Sequence, residues 1–433
     1  MQCPICRGPE NWKNVDEYRI KPEGMSLCMT CGFISYPSKY KTKEEILEYY
    51  RNDYRKAPSA NNIFTGERKL HYHAHFLEEI LSAWKREGKN PVYCDVGAAL
   101  GMTLNWLRGH FPNADLNGVE LTRGFVRNAK HLFGFDLKED LDESKEYDLI
   151  LSYKTLEHIL DPDVELKRYI KALKPDGYLY ISVPIWFGPL VNFGVGGFDI
   201  EYYYSPDHIN TWTLKHFEGL LKACGGEIVK VNRTYYGDSY LVKRNEWLAT
   251  DSRQFCYDEP EKILENLKKV LEVYECTAAG DYTKPIKIWP NFPSGWSTYY
   301  EANRKQLDSL GFDYIYKEVL LKAIEACPTE SDVHRLAADV CTRYEQYEKA
   351  LEHLKIRNQM SPNMPDTFVM VATCFREMGK RAKSQDDRIK FIKEARNTTE
   401  ILKSISSQSY AEAMNWIMLD NSKIPTDSEI MSV

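Results

Sequence analysis

Between Val92 and Pro184 the chain alternates between two kinds of run. VYCDV, ADLNGVEL, EYDLILSY and YLYISVP are short and mostly apolar, as strands. The spacing predicts helices over Met102–His110, Arg123–Phe133 and Val164–Lys174, the last closed by the turn signal KPDG. Strands this apolar, each followed by a helix, bury both faces only as a parallel sheet covered on both sides. The expected class is therefore α/β. Ligands in such sheets bind beyond the carboxyl ends of the strands.

Two carboxylates stand at those ends. VYCDVGAALGMTLNWL runs from a strand through Asp95 into a loop with Gly97, Ala99 and Gly101, and then into a helix. A dinucleotide loop needs GxGxxG so that backbone amides can approach a pyrophosphate. Here the order is GxAxG, without a following Lys-Ser or Lys-Thr. Asp95 repels phosphate and attracts a cation. Twenty-five residues on, Glu120 ends the second strand, where a carboxylate accepts ribose hydroxyls. A ligand with a ribose, a positive charge and no phosphate fits, and S-adenosylmethionine is one.

From Val92 to Val242 the sequence resembles the class I S-adenosylmethionine-dependent methyltransferases. DVGAALG is similar to the first motif of that family, with Ala99 in place of the usual middle glycine. GVEL, with Glu120 and Leu121, resembles the ribose-binding second motif. YDLILSYKTLEHILDPDVELKRYIKALKPDGYLYISVP resembles the segment from the fourth strand to the fifth, and GGEIVKVNRTYYGDSYLVKRN the terminal antiparallel hairpin. The resemblance implies a Rossmann-like, seven-stranded sheet. It places Asp95, Gly97, Ala99, Gly101, Glu120, Leu121 and Tyr153 around the cofactor, with Lys154 beside Tyr153.

Methyl transfer to a hydroxyl or a carbon acid also needs a proton acceptor. Candidates are His208 and Asp207 in FDIEYYYSPDHINTW, where Tyr202, Tyr203 and Tyr204 would shape an acceptor pocket. Glu157 and His158, just past the EYDLILSY strand, are expected at the cleft edge as base or orienter. Trp186 and Phe187 are expected on the acceptor side. The related sugar C-methyltransferases carry a His-Glu-His element followed by an aromatic residue and a serine. Here His208, Asp207, Trp212 and Thr213 match four of those positions, and Pro206 stands at the first histidine. That departure counts against C-methylation of a keto-sugar and leaves O- or N-methylation open, so the methylated atom, O, N or C, is undecided.

CPIC and CMTCG place Cys3, Cys6, Cys28 and Cys31 on two tight turns. Two CxxC pairs supply the four soft ligands of a tetrahedral zinc, and four thiolates leave no open position, so the expected metal is structural. About forty residues bury too little core alone, which is one reason to need it. CPIC…CMTCGFISYP followed by EEILEYYRNDY resembles a zinc-ribbon branch of the same methyltransferases, whose members often methylate sugars. Thr42 and Glu45 have capping-box spacing ahead of a short helix. His71, His73 and His75 alternate before a longer helix, and only His71 and His75 share a face.

A net charge of −6 argues against a general nucleic-acid binder. Eleven cysteines, seven of them outside the CxxC pairs, and no visible secretory signal point to a reducing compartment, so a cytoplasmic protein is expected. No run is long and apolar enough to span a bilayer. After Asn245 helical patterns dominate. Ala338, Ala350, Leu354 and Pro362 fall at the small, small, large and proline positions of a tetratricopeptide-like unit, and Phe368 and Ala372 restart the pattern 34 residues after His334 and Ala338.

The expected organisation is a zinc ribbon over 1–40, a helical segment over 41–90, the methyltransferase domain over 91–245, an all-α domain over 246–420 for self-association or a protein partner, and a polar tail over 421–433. The leading reading is methylation of a small polar acceptor, a sugar nucleotide or glycan precursor. Two others stand beside it: methylation of a protein or nucleic acid gripped by the ribbon and helices, and a silent methyltransferase fold serving as a binding module.

Overall fold

The computed structural model describes residues 2–8, 10–18, 24–36, 42–54, 76–185, 193–194, 197–198, 208–234, 237–291, 293–328, 330–360 and 364–405. His71, His73, His75, Trp186, Phe187, Tyr202–Tyr204, Pro206, Asp207, Pro362 and the tail lie outside them. The chain divides into two units, meeting in sequence at Trp289 and Pro290.

The first unit begins with short strands β1 (Trp12–Asn14), β2 (Ser26–Cys28) and β3 (Ile34–Ser35), then helix α1 (Lys43–Asn52). Thr42 caps α1 as expected: its hydroxyl accepts the Glu45 amide, and the Glu45 carboxylate accepts the Thr42 amide, both at 3.2 Å. A second helix, α2, covers residues 76–86.

The sheet follows as β4 (Val92–Val96), α3 (Met102–His110), β5 (Asp115–Val119), α4 (Arg123–Phe133), β6 (Tyr147–Tyr153), α5 (Pro162–Lys171) and β7 (Leu173–Val183). After β8 (Phe193–Gly194), β9 (Gly197–Phe198) and β10 (Asn210–Thr211) come α6 (Leu214–Ala223) and the hairpin β11 (Gly226–Thr234) and β12 (Gly237–Arg244).

The spatial order is β11-β12-β7-β6-β4-β5. β4 to β7 run parallel and the terminal hairpin antiparallel. Beyond β5, where a seventh strand is expected, Lys138 makes a single parallel bridge to Val119. The core strands carry Tyr93, Cys94, Leu149, Ile150, Leu151, Leu179, Tyr180 and Ile181 fully buried, which is why their sequence reads as continuous apolar runs. KPDG lies within β7 and does not end the element. The ladder jumps from Tyr147–Leu173 to Leu149–Tyr178, so these four residues bulge out of the pairing.

The helix α7 (Pro260–Ala278) belongs to this first unit, although its composition groups it with the C-terminal helices. Its Ile263 packs beside Gly32 of the cysteine module, and Ile263, Leu267, Val270 and Val273 are buried. A short helix α8 (Pro285–Ile288) ends the unit.

Among the described residues the second unit is helical: α9 (Pro293–Ala302), α10 (Arg304–Leu310), α11 (Phe312–Ile315), a π turn at Tyr316–Leu320, α12 (Leu321–Ala326), α13 (Ser331–Arg343), α14 (Tyr347–Met360), α15 (Pro365–Arg381) and α16 (Gln385–Ile405). Ala338, Ala350 and Leu354 meet in one buried cluster with Cys341, Tyr347 and Cys374. Small residues there let α13 and α14 approach. Among the described residues no helix is long and apolar enough to cross a membrane.

Candidate active site

The loop after β4 is built on reversed backbone angles. Gly97, Ala99 and Gly101 have φ of 80°, 47° and 72°. At Gly97 glycine is required twice over, because a Cβ would also lie 2.3 Å from Thr155 Oγ1. Ala99 takes the same left-handed region with a side chain, at a cost of roughly 1–2 kcal/mol. The amides of Gly97 and Ala98 donate to the Val119 carbonyl, both at 2.9 Å, and Gly101 donates to Ala98 at 2.8 Å.

Glu120 closes this loop onto the next. Its Oε2 accepts the Ala99 amide at 2.9 Å and its Oε1 the Thr122 amide at 2.8 Å. Burial pushes its carboxyl up, and the amide donors oppose that. Asp95 is buried at the end of β4, and desolvation, then the Glu120 charge, push it up to about 7, with the Thr103 hydroxyl pulling the other way. A buried carboxylate raised by the charge of a half-buried one favours a ligand that brings positive charge and hydroxyl donors.

The second half of the site gathers at the turn after β6. Lys154, at φ 55°, reverses the chain, and its amide donates to Ser182 at 2.9 Å. Its Nζ lies 5.9 Å from the Tyr153 ring centre. Thr155 Oγ1 donates back to Val96 at 3.2 Å. The turn then presents Glu157, fully buried, and His158, half-buried. His208 is buried beside them, with the two imidazoles 5.0 Å apart and edge-on. One ligating atom from each of Glu157, His158 and His208 lies within 4.8 Å of the others. Such a trio can take a proton from an acceptor and pass it on, or hold a cation.

Helix α1 covers this face. Tyr50 and Tyr54 set their rings 5.7 Å and 6.3 Å from His158, and Ile46 and Tyr50 pack with Ile209, Leu121 and Leu160. The run EYYRNDY, ending an amphipathic helix, is the sequence signal that marks these tyrosines. Trp212 is buried against Phe33 and Phe217, and Thr213 caps α6 and donates to Asp258 Oδ2 at 2.7 Å. The described part of the site therefore joins Asp95, Gly97, Ala99, Gly101, Glu120 and Leu121 on one side to Tyr153, Glu157, His158 and His208 on the other.

The four N-terminal cysteines also converge. Cys3 and Cys31 sulfurs are 3.6 Å apart, Cys6 and Cys28 3.7 Å, and all four lie within 4.8 Å of one another. These gaps are too long for disulfides and match the edge, roughly 3.8 Å, of a tetrahedron with metal–sulfur bonds of about 2.3 Å. The donor set fits a thiophilic ion with no coordination position left over. The cluster is anchored to the core. The Cys31 carbonyl accepts the Asp258 amide at 2.9 Å and His216 Nε2 at 2.8 Å. Arg253 Nη1 donates to the Pro4 carbonyl at 3.0 Å.

Residues 68–231 match the family model described as a methyltransferase domain, so this fold and this cleft lie in a methyltransferase domain that spans less than half of the chain. No match was found among curated protein sequences. Similar solved structures include the magnesium protoporphyrin IX methyltransferase of Synechocystis PCC 6803 with bound SAH, at 14% identity over 46% of this chain and 98% of the other, TM-score 0.33. The sugar N-methyltransferase KedS8 of Streptoalloteichus sp ATCC 53650 is 15% identical over 44% and 94%, TM-score 0.34. The plantazolicin methyltransferase BpumL in complex with SAH is 17% identical over 48% and 93%, TM-score 0.34. These likenesses do not bear on the acceptor.

Proposed function

We propose that the chain is an S-adenosylmethionine-dependent methyltransferase acting on a small polar acceptor, a sugar nucleotide or glycan precursor. The observation that carries the cofactor is the pair formed by buried Asp95 and half-buried Glu120 at the carboxyl ends of adjacent strands, with Glu120 clamped to the Ala99 amide at 2.9 Å. Bound there, S-adenosylmethionine supplies a methyl group on a positively charged sulfur. Glu120 accepts the ribose hydroxyls, Asp95 favours the positive charge, and Gly97, Ala99 and Gly101 let the backbone come close. Leu121 and Tyr153 wall the site.

His208 is the candidate base, held among Glu157 and His158, with Asp207 preceding it in sequence. With the cofactor supplying the methyl group, His208 would take the proton that the acceptor atom gives up. Tyr50 and Tyr54 offer the flat, amphipathic wall that a sugar ring or base stacks on. The sugar class rests on the resemblance of the N-terminal segment and on these tyrosines. Cys3, Cys6, Cys28 and Cys31 hold a structural zinc. We assign the methyltransferase domain to 91–245 and leave the all-α unit for self-association or a protein partner.

Calorimetric titration with S-adenosylmethionine and S-adenosylhomocysteine tests the cofactor. Micromolar binding that weakens at least tenfold in Glu120→Ala is expected, since hydrogen bonds to a charged group contribute about 1.5–3 kcal/mol. Nucleotide sugars are then screened for methylated product, which His208→Ala should abolish without loss of cofactor binding. The proposal fails if neither ligand binds, or if both variants leave affinity and turnover unchanged.

A further inference from the structure

The segment that carries the cleft histidine belongs to the cysteine module's sheet. β10 pairs antiparallel with β3, Asn210 opposite Ser35 and Thr211 opposite Ile34, which makes the order β1-β2-β3-β10. Between His208 and β10 sits Ile209, whose peptide groups are bonded on both sides. Its carbonyl accepts the Ser35 hydroxyl at 2.9 Å and the Tyr36 amide at 3.1 Å. Its amide donates to the Glu157 carbonyl at 2.9 Å. Ser35 and Ile209 are both buried, so water does not compete for these bonds. Asn210 adds a second tie, its Nδ2 donating to the Ile159 carbonyl at 2.5 Å.

The line from metal to cleft is short. Cys28 ends β2, its amide donates to the Phe33 carbonyl at 2.8 Å, and β2 pairs with β3 through Leu27–Ile34 and Ser26–Ser35. These strands have three, two and two residues in β2, β3 and β10. Strands of that length do not hold a sheet without a further constraint, and a four-thiolate metal knot is such a constraint.

We infer that Ser35 is a positioning residue for His208, and that the metal-loaded cysteine module is a working wall of the acceptor cleft. This rests on the reading of His208 as the base. The mechanical coupling of Ser35 to His208 is measurable without it. Loss of the Ser35 hydroxyl leaves the Ile209 carbonyl with one donor of two and loosens the Ile209–Asn210 peptide, one residue from His208. Loss of the metal releases β3 altogether.

The test uses the full-length, metal-loaded chain with Ser35→Ala and Ser35→Thr. Hydrogen exchange of the amides from Ile209 to Thr211 should speed up about tenfold in Ser35→Ala, the equivalent of one buried hydrogen bond. It should return toward the parent in Ser35→Thr, and exchange in Val92–Val96 should not change. Cofactor affinity should stay within twofold. With a turned-over acceptor in hand, kcat should fall about tenfold in Ser35→Ala while the pH profile shifts, since His208 changes surroundings. Stripping the metal with a mercurial and a chelator should reproduce the same local exchange. Unchanged exchange at Ile209–Thr211 in Ser35→Ala overturns the inference. So does a fall in cofactor affinity that matches the fall in kcat. If metal removal unfolds the chain globally, Ser35→Ala alone decides. If no acceptor is ever methylated, the exchange result still decides the coupling, and only the function fails.

Discussion

The Ala99 amide donates to the Glu120 carboxylate at 2.9 Å while Ala99 itself stands at φ 47°. The hydrogen bond that orients the Glu120 carboxylate is thus made by a residue in a strained conformation. Ala99→Gly removes the strain but loosens the unfolded chain, so the net gain should be no more than about 1 kcal/mol. A rise of roughly 2–4 °C in the melting temperature of the first unit is expected, with cofactor affinity nearly unchanged. Gly97→Ala should do the reverse, because its Cβ would meet Thr155 Oγ1 at 2.3 Å.

Asp95 is pushed up to about 7 by burial and by Glu120. Its folded pKa lies above its unfolded value of about 3.9. The folded state therefore holds the extra proton, and the stability it contributes below pH 4 is lost as pH rises to 7. A cationic ligand reverses the preference and expels the proton. Cofactor affinity should rise with pH up to about 7. Calorimetry in two buffers of different ionisation enthalpy should show proton release near pH 6.5, and Asp95→Asn should abolish it.

Asp163 sits between two arginines. Arg253 Nη2 reaches it at 3.0 Å and Arg7 Nε at 2.8 Å, and Asp163 and Arg253 are almost wholly buried while the Arg7 side chain is 44% exposed. Removing the shared carboxylate leaves a buried guanidinium uncompensated. Asp163→Ala should cost about 3–5 kcal/mol in denaturant unfolding. Arg7→Ala removes an exposed partner and should cost about 1 kcal/mol or less. Equal losses for the two variants would contradict this ordering.

In the helical unit His334 Nδ1 and His353 Nδ1 lie 3.1 Å apart, both rings buried, and Tyr316 Oη reaches His353 Nε2 at 3.2 Å. Burial, then His334, holds His353 down at about 4. A histidine kept neutral when folded contributes stability that is full above its unfolded pKa, near 6.5, and lost as pH falls toward 4. The second unit should lose on the order of 3 kcal/mol across that window. Melting of the full chain followed at pH 7 and pH 5 should show it, and His353→Gln should flatten the dependence.

Much of the fold was legible because its signals are local. Apolar runs ending at Asp95, Glu120 and Tyr153 became β4, the edge of β5 and β6, and the capping box at Thr42 formed as spelled. KPDG carried a turn signal, but the ladder on either side of it continues, so it became a bulge within β7. The helix Pro260–Ala278 has a helical pattern that says nothing about which unit it joins. Its buried Ile263 lies beside Gly32 of the cysteine module, and it groups with the first unit. Trp212 and Thr213 match motif positions by resemblance, and in the fold Trp212 packs against Phe33 and Thr213 caps α6.

The sequence by itself determined the alternating α/β order, the carboxylates at the strand ends and the two thiol pairs. Each is encoded in periodicity or spacing over fewer than about thirty residues. Only the tertiary structure decided that His208 meets Glu157 and His158, that Tyr50 and Tyr54 face them, and that Ser35 holds the Ile209 carbonyl. The reason is physical. β3 and β10 have two residues each, too few to carry a pattern, and their pairing spans some 170 positions. Contacts of that kind form through burial and hydrogen bonds that become available only once the rest of the chain has folded.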